Sequence, residues 1–88
     1  MERYDAHDLV FCFVRLAERK HPEFPKDPVY AAAIIAEEAG ELVQAANDFR
    51  HGARDAAGRS DCLERMRMEA AQTAAAAIRL LYVIEDCR

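Results

Sequence analysis

Glutamates carry the chemistry this sequence offers. Glu37-Glu38-Ala39-Gly40-Glu41 sets three carboxylates within five residues, between the apolar runs Val29–Ala36 and Leu42–Ala46. Further on, Glu69-Ala70-Ala71-Gln72 places a carboxylate and a carboxamide one turn apart. An unpartnered carboxylate on a buried flank is costly and tends to take up a proton, and several converging on one spot repel each other. A divalent cation resolves both problems. Hard oxygen donors on facing helices suit magnesium or manganese, which retain waters and favour phosphate-bearing substrates. The competing reading is a solvated acidic face. Arg65 stands four residues before Glu69 and is spaced to neutralise it on the surface, and Glu37 and Glu41 then simply meet water.

Three helices must position these groups. Asp5-Ala6-His7-Asp8 opens the first, with acids at the positive end of the helix dipole. Leu9, Phe13, Leu16 and Ala17 recur at helical spacing until Pro22 forces an end, giving a helix over about 5–21. His21–Lys26 is a proline-containing connector. Asp27-Pro28 reads as an N-cap followed by proline at the first helical position, and Gly52 as the C-terminal glycine, so the second helix spans 28 to about 50. The segment 52–59 reads as a polar, mobile loop. Ser60 or Asp61 caps a third helix, Asp61 and Glu64 having capping-box spacing, and this helix continues to about Cys87. No strand signal, internal repeat or low-complexity linker interrupts the pattern. The expected fold is all-α: a single domain over 1–88, an antiparallel helical hairpin with a shorter N-terminal helix across it.

At about 100° per residue, an apolar stripe on the second helix centres on Ile35, with Ala31, Ala39, Leu42, Ala46 and Phe49 beside it. Glu38 falls about 60° to one side and Glu41 about 120°, while Glu37 is nearly opposite the core. A matching stripe on the third helix centres on Ala77 and takes in Leu63, Met66, Ala70, Thr73, Leu81 and Ile84. Glu69 falls about 80° from its centre and Gln72 about 140°, on the same side. Each long helix thus carries an acid on the flank of its stripe and a second oxygen-bearing residue one turn later.

Composition narrows the function classes. In 88 residues the net charge is -4, which argues against a nucleic-acid-binding surface and suits an acidic site that collects cations. Cys12, Cys62 and Cys87 have no metal-type spacing and read as reduced thiols of a cytoplasmic protein. The charged N-terminus does not resemble a signal peptide, and no apolar run approaches the roughly 20 residues that span a bilayer, so no membrane partner is expected. No glycine-rich phosphate loop is present, and no nucleophile stands beside an evident base. A chain this short buries a small core and often needs oligomerisation.

The two acidic motifs together resemble those of the MazG-like, all-α nucleoside triphosphate pyrophosphatases. That signature is two glutamates, two spacers and a glutamate, followed later by a glutamate, two spacers and an aspartate. His21-Pro22 before the long helix, Glu38-Ala39-Gly40-Glu41-Leu42 and Glu69–Arg79 extend the likeness over nearly the whole chain. The resemblance implies hydrolysis of a nucleoside triphosphate to the monophosphate and pyrophosphate, with magnesium, or manganese, held by the acids. It makes Glu38, Glu41 and Glu69 metal ligands, with Glu37 and Glu38 the catalytic glutamates and Glu37 an outer, water-orienting group. It also implies a homodimer with a four-helix core, which can pair again into a tetramer. Gln72 departs from the signature aspartate; its carbonyl can still approach a metal, but one negative charge is lost. Two alternatives follow: a catalytically weak relative that binds nucleotide or metal, or a structural oligomerisation module.

Among the cations, Arg79 lies two turns after Gln72 on a similar face and is the foremost phosphate-binding candidate, with Lys26 second. Arg50 and Arg54 read as loop charges, and His7, His21 and His51 as surface or capping residues. Phe13, Phe24 and Phe49 can stack on a base, although core packing suits Phe13 and Phe49.

Overall fold

The computed structural model describes residues 3–88 and is built of three helices, with no strand among the described residues. They are α1 (Arg3–Lys20), α2 (Pro28–His51) and α3 (Ala56–Cys87). At about 1.5 Å per residue, α3 is about 48 Å long, and it sets the 49 Å long axis of the molecule.

The start of α2 follows the expected chemistry. Asp27 Oδ1 accepts a hydrogen bond from the Val29 N–H at 3.0 Å, with Pro28 in the first turn. At its end, the N–H groups of Gly52 and Ala53 both reach the Asp48 carbonyl. Gly52 has a φ of -105°, so glycine's left-handed freedom is not used. Close approach favours glycine here, because a Cβ would lie 3.1 Å from the Asp48 carbonyl oxygen.

The third helix starts earlier than expected. Asp55, not Ser60 or Asp61, is its N-cap, and Asp55 Oδ1 accepts from the Gly58 N–H at 2.7 Å. The segment 56–59 is therefore helical rather than a mobile loop. Ala56 and Ala57 are good helix formers, and Gly58 leaves space for the capping carboxylate, since a Cβ there would sit 3.0 Å from Asp55 Oδ1. Arg59 lies over the Phe49 ring at 4.7 Å, tying the first turn of α3 to the last turns of α2.

The hairpin α2–α3 forms as expected, and α1 packs against α3, with no close backbone approach to α2 among the described residues. The packed centre differs from the one the apolar stripes suggest. On α3 the buried positions are Ala71, Ala75 and Arg79, nearly opposite Ala77 on the helix. Leu63 and Leu81, expected inside, are 50% and 59% exposed. On α2 the buried positions are Ala31 and Ala45, which place Glu38 near the middle of the packed face and not on its flank. Small side chains explain both shifts. Alanines let the helices approach closely, and the large side chains are left on an open face. Among the described residues the buried core, apart from Arg79, consists of Val14 and four alanines.

The chain is consequently open for its size. Its accessible surface is 6595 Å², against about 5200 Å² for a folded monomer of this mass. Its radius of gyration is 14.7 Å, against about 12 Å for a compact domain of this length.

Candidate metal centre and adjoining groove

Glu38 and Glu41 stand one turn apart on α2, and Glu69 faces them from α3. One carboxylate oxygen from each lies within 4.8 Å of the others. Glu38 and Glu69 are half-buried and Glu41 is exposed. The Oε2 atoms of Glu38 and Glu69 are shielded from solvent and meet no hydrogen-bond donor among the described residues.

This arrangement perturbs protonation. The Glu38 carboxyl is pushed above its ordinary value by burial first, then by the negative charges of Glu41 and Glu37. Glu69 is also raised, by burial first, then by a hydrogen bond and charge from Glu41 and the charge of Glu38, with Arg65 opposing. Arg65 does not neutralise Glu69 by direct pairing. Its Nη1 donates to Asp48 Oδ2 at 2.9 Å, and the Gln44 side-chain amide donates to Asp48 Oδ1 at 3.1 Å. Thr73 donates to the Glu69 backbone carbonyl at 2.8 Å and leaves the carboxylate free. The donor set suits a hard divalent cation: three carboxylates from two facing helices, two of them with orphaned buried oxygens.

Beside the cluster runs a groove of about 510 Å³, walled by parts of all three helices and the α1–α2 connector. Glu38 and Gln72 line it next to the acids, and Lys20, His21 and Arg79 supply cationic or titratable groups. Arg79 Nη2 donates to the His21 carbonyl at 2.7 Å, and its guanidinium lies 4.6 Å from the Phe24 ring centre.

The sequence candidates are therefore brought together in part. Glu38, Glu41 and Glu69 converge, and Gln72 lies one turn beyond Glu69, half-buried on the groove wall. Glu37 is exposed and outside the convergent group, although its charge reaches Glu38. Lys26 is exposed outside the groove lining, and its carbonyl accepts a long contact of 3.9 Å from Cys87 Sγ. Lys20 and Tyr30 are among the lining residues that the sequence does not single out. Tyr30 had a signal, because Tyr30, Ile34 and Glu38 follow one another at i, i+4 and i+8. Lys20 had none, being carried in by the packing of another helix.

The chain matches no protein-family model, no curated protein and no solved structure. Among the described residues, no helix is long and apolar enough to cross a membrane.

Proposed function

We propose that the chain is a magnesium-dependent nucleoside triphosphate pyrophosphohydrolase, adding water across the α–β phosphoanhydride to give the monophosphate and pyrophosphate. One observation carries this reading. Three carboxylates from two facing helices converge within 4.8 Å, and two of them hold buried oxygens with no donor. Glu38, Glu41 and Glu69 hold the cation, magnesium or manganese, and Gln72 offers a neutral carbonyl beside them. The bound cation supplies charge neutralisation on the phosphate chain and acidifies water. Glu37, with Glu38, is assigned to the catalytic pair as the outer group that orients water. The adjoining groove gives the nucleotide a partly apolar channel leading away from the acids.

The same reading includes a homodimer, with pairing into a tetramer as its extension. The stripe centred on Ala77 lies away from the packed face of α3, where Leu63, Leu81 and Ile84 are exposed, while the stripe centred on Ile35 is half-buried and includes the buried Ala31. A second hairpin laid on this face makes a four-helix core. The surface excess over a compact monomer exceeds the roughly 800 Å² per partner that a standard interface buries. The free thiols of Cys12, Cys62 and Cys87 suit the reducing cytoplasm in which the reading places the protein.

A second reading has its own observation. Gln72 stands where a further carboxylate would complete the set, which favours a weakly active nucleotide- or metal-binding relative. Pyrophosphate release from a panel of nucleoside triphosphates, with magnesium and with manganese, separates the two. Release abolished by Glu38→Gln supports the enzyme; magnesium binding without release supports the binder; neither binding nor release overturns both.

A further inference from the structure

We propose that the Arg79 end of the groove is a subsite for a phosphate-type anion. Arg79 is 7% exposed, so its charge is held largely out of water. None of the ion pairs among the described residues involves it. Glu23 and Glu38 line the same groove, yet neither carboxylate reaches Arg79. One guanidinium N–H is engaged by the His21 carbonyl, and the Phe24 ring covers the cation. A carbonyl and a ring offset only part of the cost of burying a cation, and a counter-anion supplies the rest.

The shape of the group narrows the anion. The guanidinium is a planar fork whose paired N–H groups match two oxygens of a phosphate or carboxylate. Arg79 lines the groove wall, which brings its side chain to the edge of the space a ligand would occupy. Lys20 lines the same groove and adds a flexible ammonium. Phe24 is already covered by Arg79, so this part of the groove recognises charge before it recognises a base. A role as a clamp on the connector uses the charge only in part, because a carbonyl and a ring leave the cation without a counter-charge.

The identity of the anion rests on the proposed hydrolase reading: the distal phosphates of the nucleotide, or free pyrophosphate. Gln72 and Arg79 are seven residues apart on α3, about 10 Å along the axis. An arginine on a helix leans back toward the N-terminus, which shortens that span. Under that reading Arg79 would hold the distal end of a phosphate chain whose other end a cation on the glutamates would neutralise.

The test is a titration of the ¹⁵N-labelled protein with pyrophosphate in a chelator, following the Arg79 Nε–Hε resonance by NMR, with a phosphate-free nucleoside as the comparison ligand. Pyrophosphate is expected to move the Arg79 resonance and the nucleoside to leave it in place. Lys20→Gln should weaken binding severalfold, and Arg79→Lys should weaken it by about tenfold or more as the fork is lost. If Arg79→Lys loosens the connector and fails to fold, the wild-type resonance and Lys20→Gln, an exposed position, still decide. An unmoved Arg79 resonance at millimolar pyrophosphate, or an equal response to the nucleoside, overturns the proposal. Metal is withheld, so failure here leaves the cation site standing, and failure of magnesium binding leaves this subsite standing.

Discussion

Replacing Glu38 with glutamine should stabilise the metal-free protein and abolish its response to magnesium. The clustered oxygens lie within 4.8 Å of one another. At that separation two unit charges repel by about 0.9 kcal/mol in water and about 3.5 kcal/mol at an effective dielectric of about 20. Glu41 is exposed and Glu38 only half-buried, so solvent screening favours the lower figure. Glu38 faces two such neighbours, and neutralising it relieves roughly 1 to 3 kcal/mol. In a domain of this size 1 kcal/mol moves the melting temperature by about 4–8 °C, so Glu38→Gln should melt at least about 4 °C higher in chelator near pH 8. The pH dependence has a definite sign. Glu38 and Glu69 are raised above the ordinary 4.5, so the native state holds protons that the unfolded chain has released. Their contribution to stability therefore falls as pH climbs from 4.5 through the raised native values, and Glu38→Gln flattens that fall. Magnesium should reverse the order of the two proteins, since a cation at about 100 times its dissociation constant would add about 2.7 kcal/mol to wild type alone. Differential scanning fluorimetry with and without magnesium, across pH 4 to 8, reads all of this. A Glu38→Gln protein that melts below wild type in chelator, or that gains as much from magnesium, refutes the reasoning.

Three further outcomes are expected. Asp55→Ala should lower stability by about 1 kcal/mol through loss of the α3 cap, whereas Asp61→Ala should change it little; chemical denaturation of both variants checks where α3 begins. Gln72→Asp should tighten magnesium binding in calorimetry and lower the melting temperature in chelator, and unchanged affinity would remove Gln72 from the site. Leu81→Glu replaces a residue already 59% exposed in the single chain, so it should leave the helix content intact and convert a dimer to a monomer by light scattering. Equal masses for wild type and variant would show that the open face is not the interface.

Much of this architecture was legible in the residues. Asp27-Pro28 and the alanine-rich helices carried their own local signals, and the hairpin follows from two long helices joined by a short turn. Helical periodicity placed Glu38, Glu41 and Glu69 on one side of each long helix, but their convergence also depends on how α2 and α3 pack. The start of α3 is obscured in the sequence because Asp61 and Glu64 have capping-box spacing, while the cap in use, Asp55, precedes a glycine that weakens the helical pattern. The packed face is hidden in the sequence because hydrophobicity weights Leu63, Leu81 and Ile84 above alanine. Within one chain, close approach through Ala31, Ala45, Ala71 and Ala75 prevails, and the large side chains remain outside. Arg79 was legible as a cation near the site. Its burial was not, because that depends on where the connector crosses α3 and lays the Phe24 ring and His21 carbonyl on it.

The central claim is that the three converging glutamates hold a cation for phosphoanhydride hydrolysis. It is tested most directly by pyrophosphate release from nucleoside triphosphates by wild type and Glu38→Gln, each with magnesium and with chelator. Release by wild type in magnesium alone, and by neither protein otherwise, is the predicted result. Release that persists in Glu38→Gln or in chelator contradicts the claim, as does a folded, magnesium-loaded wild type that releases none from any triphosphate.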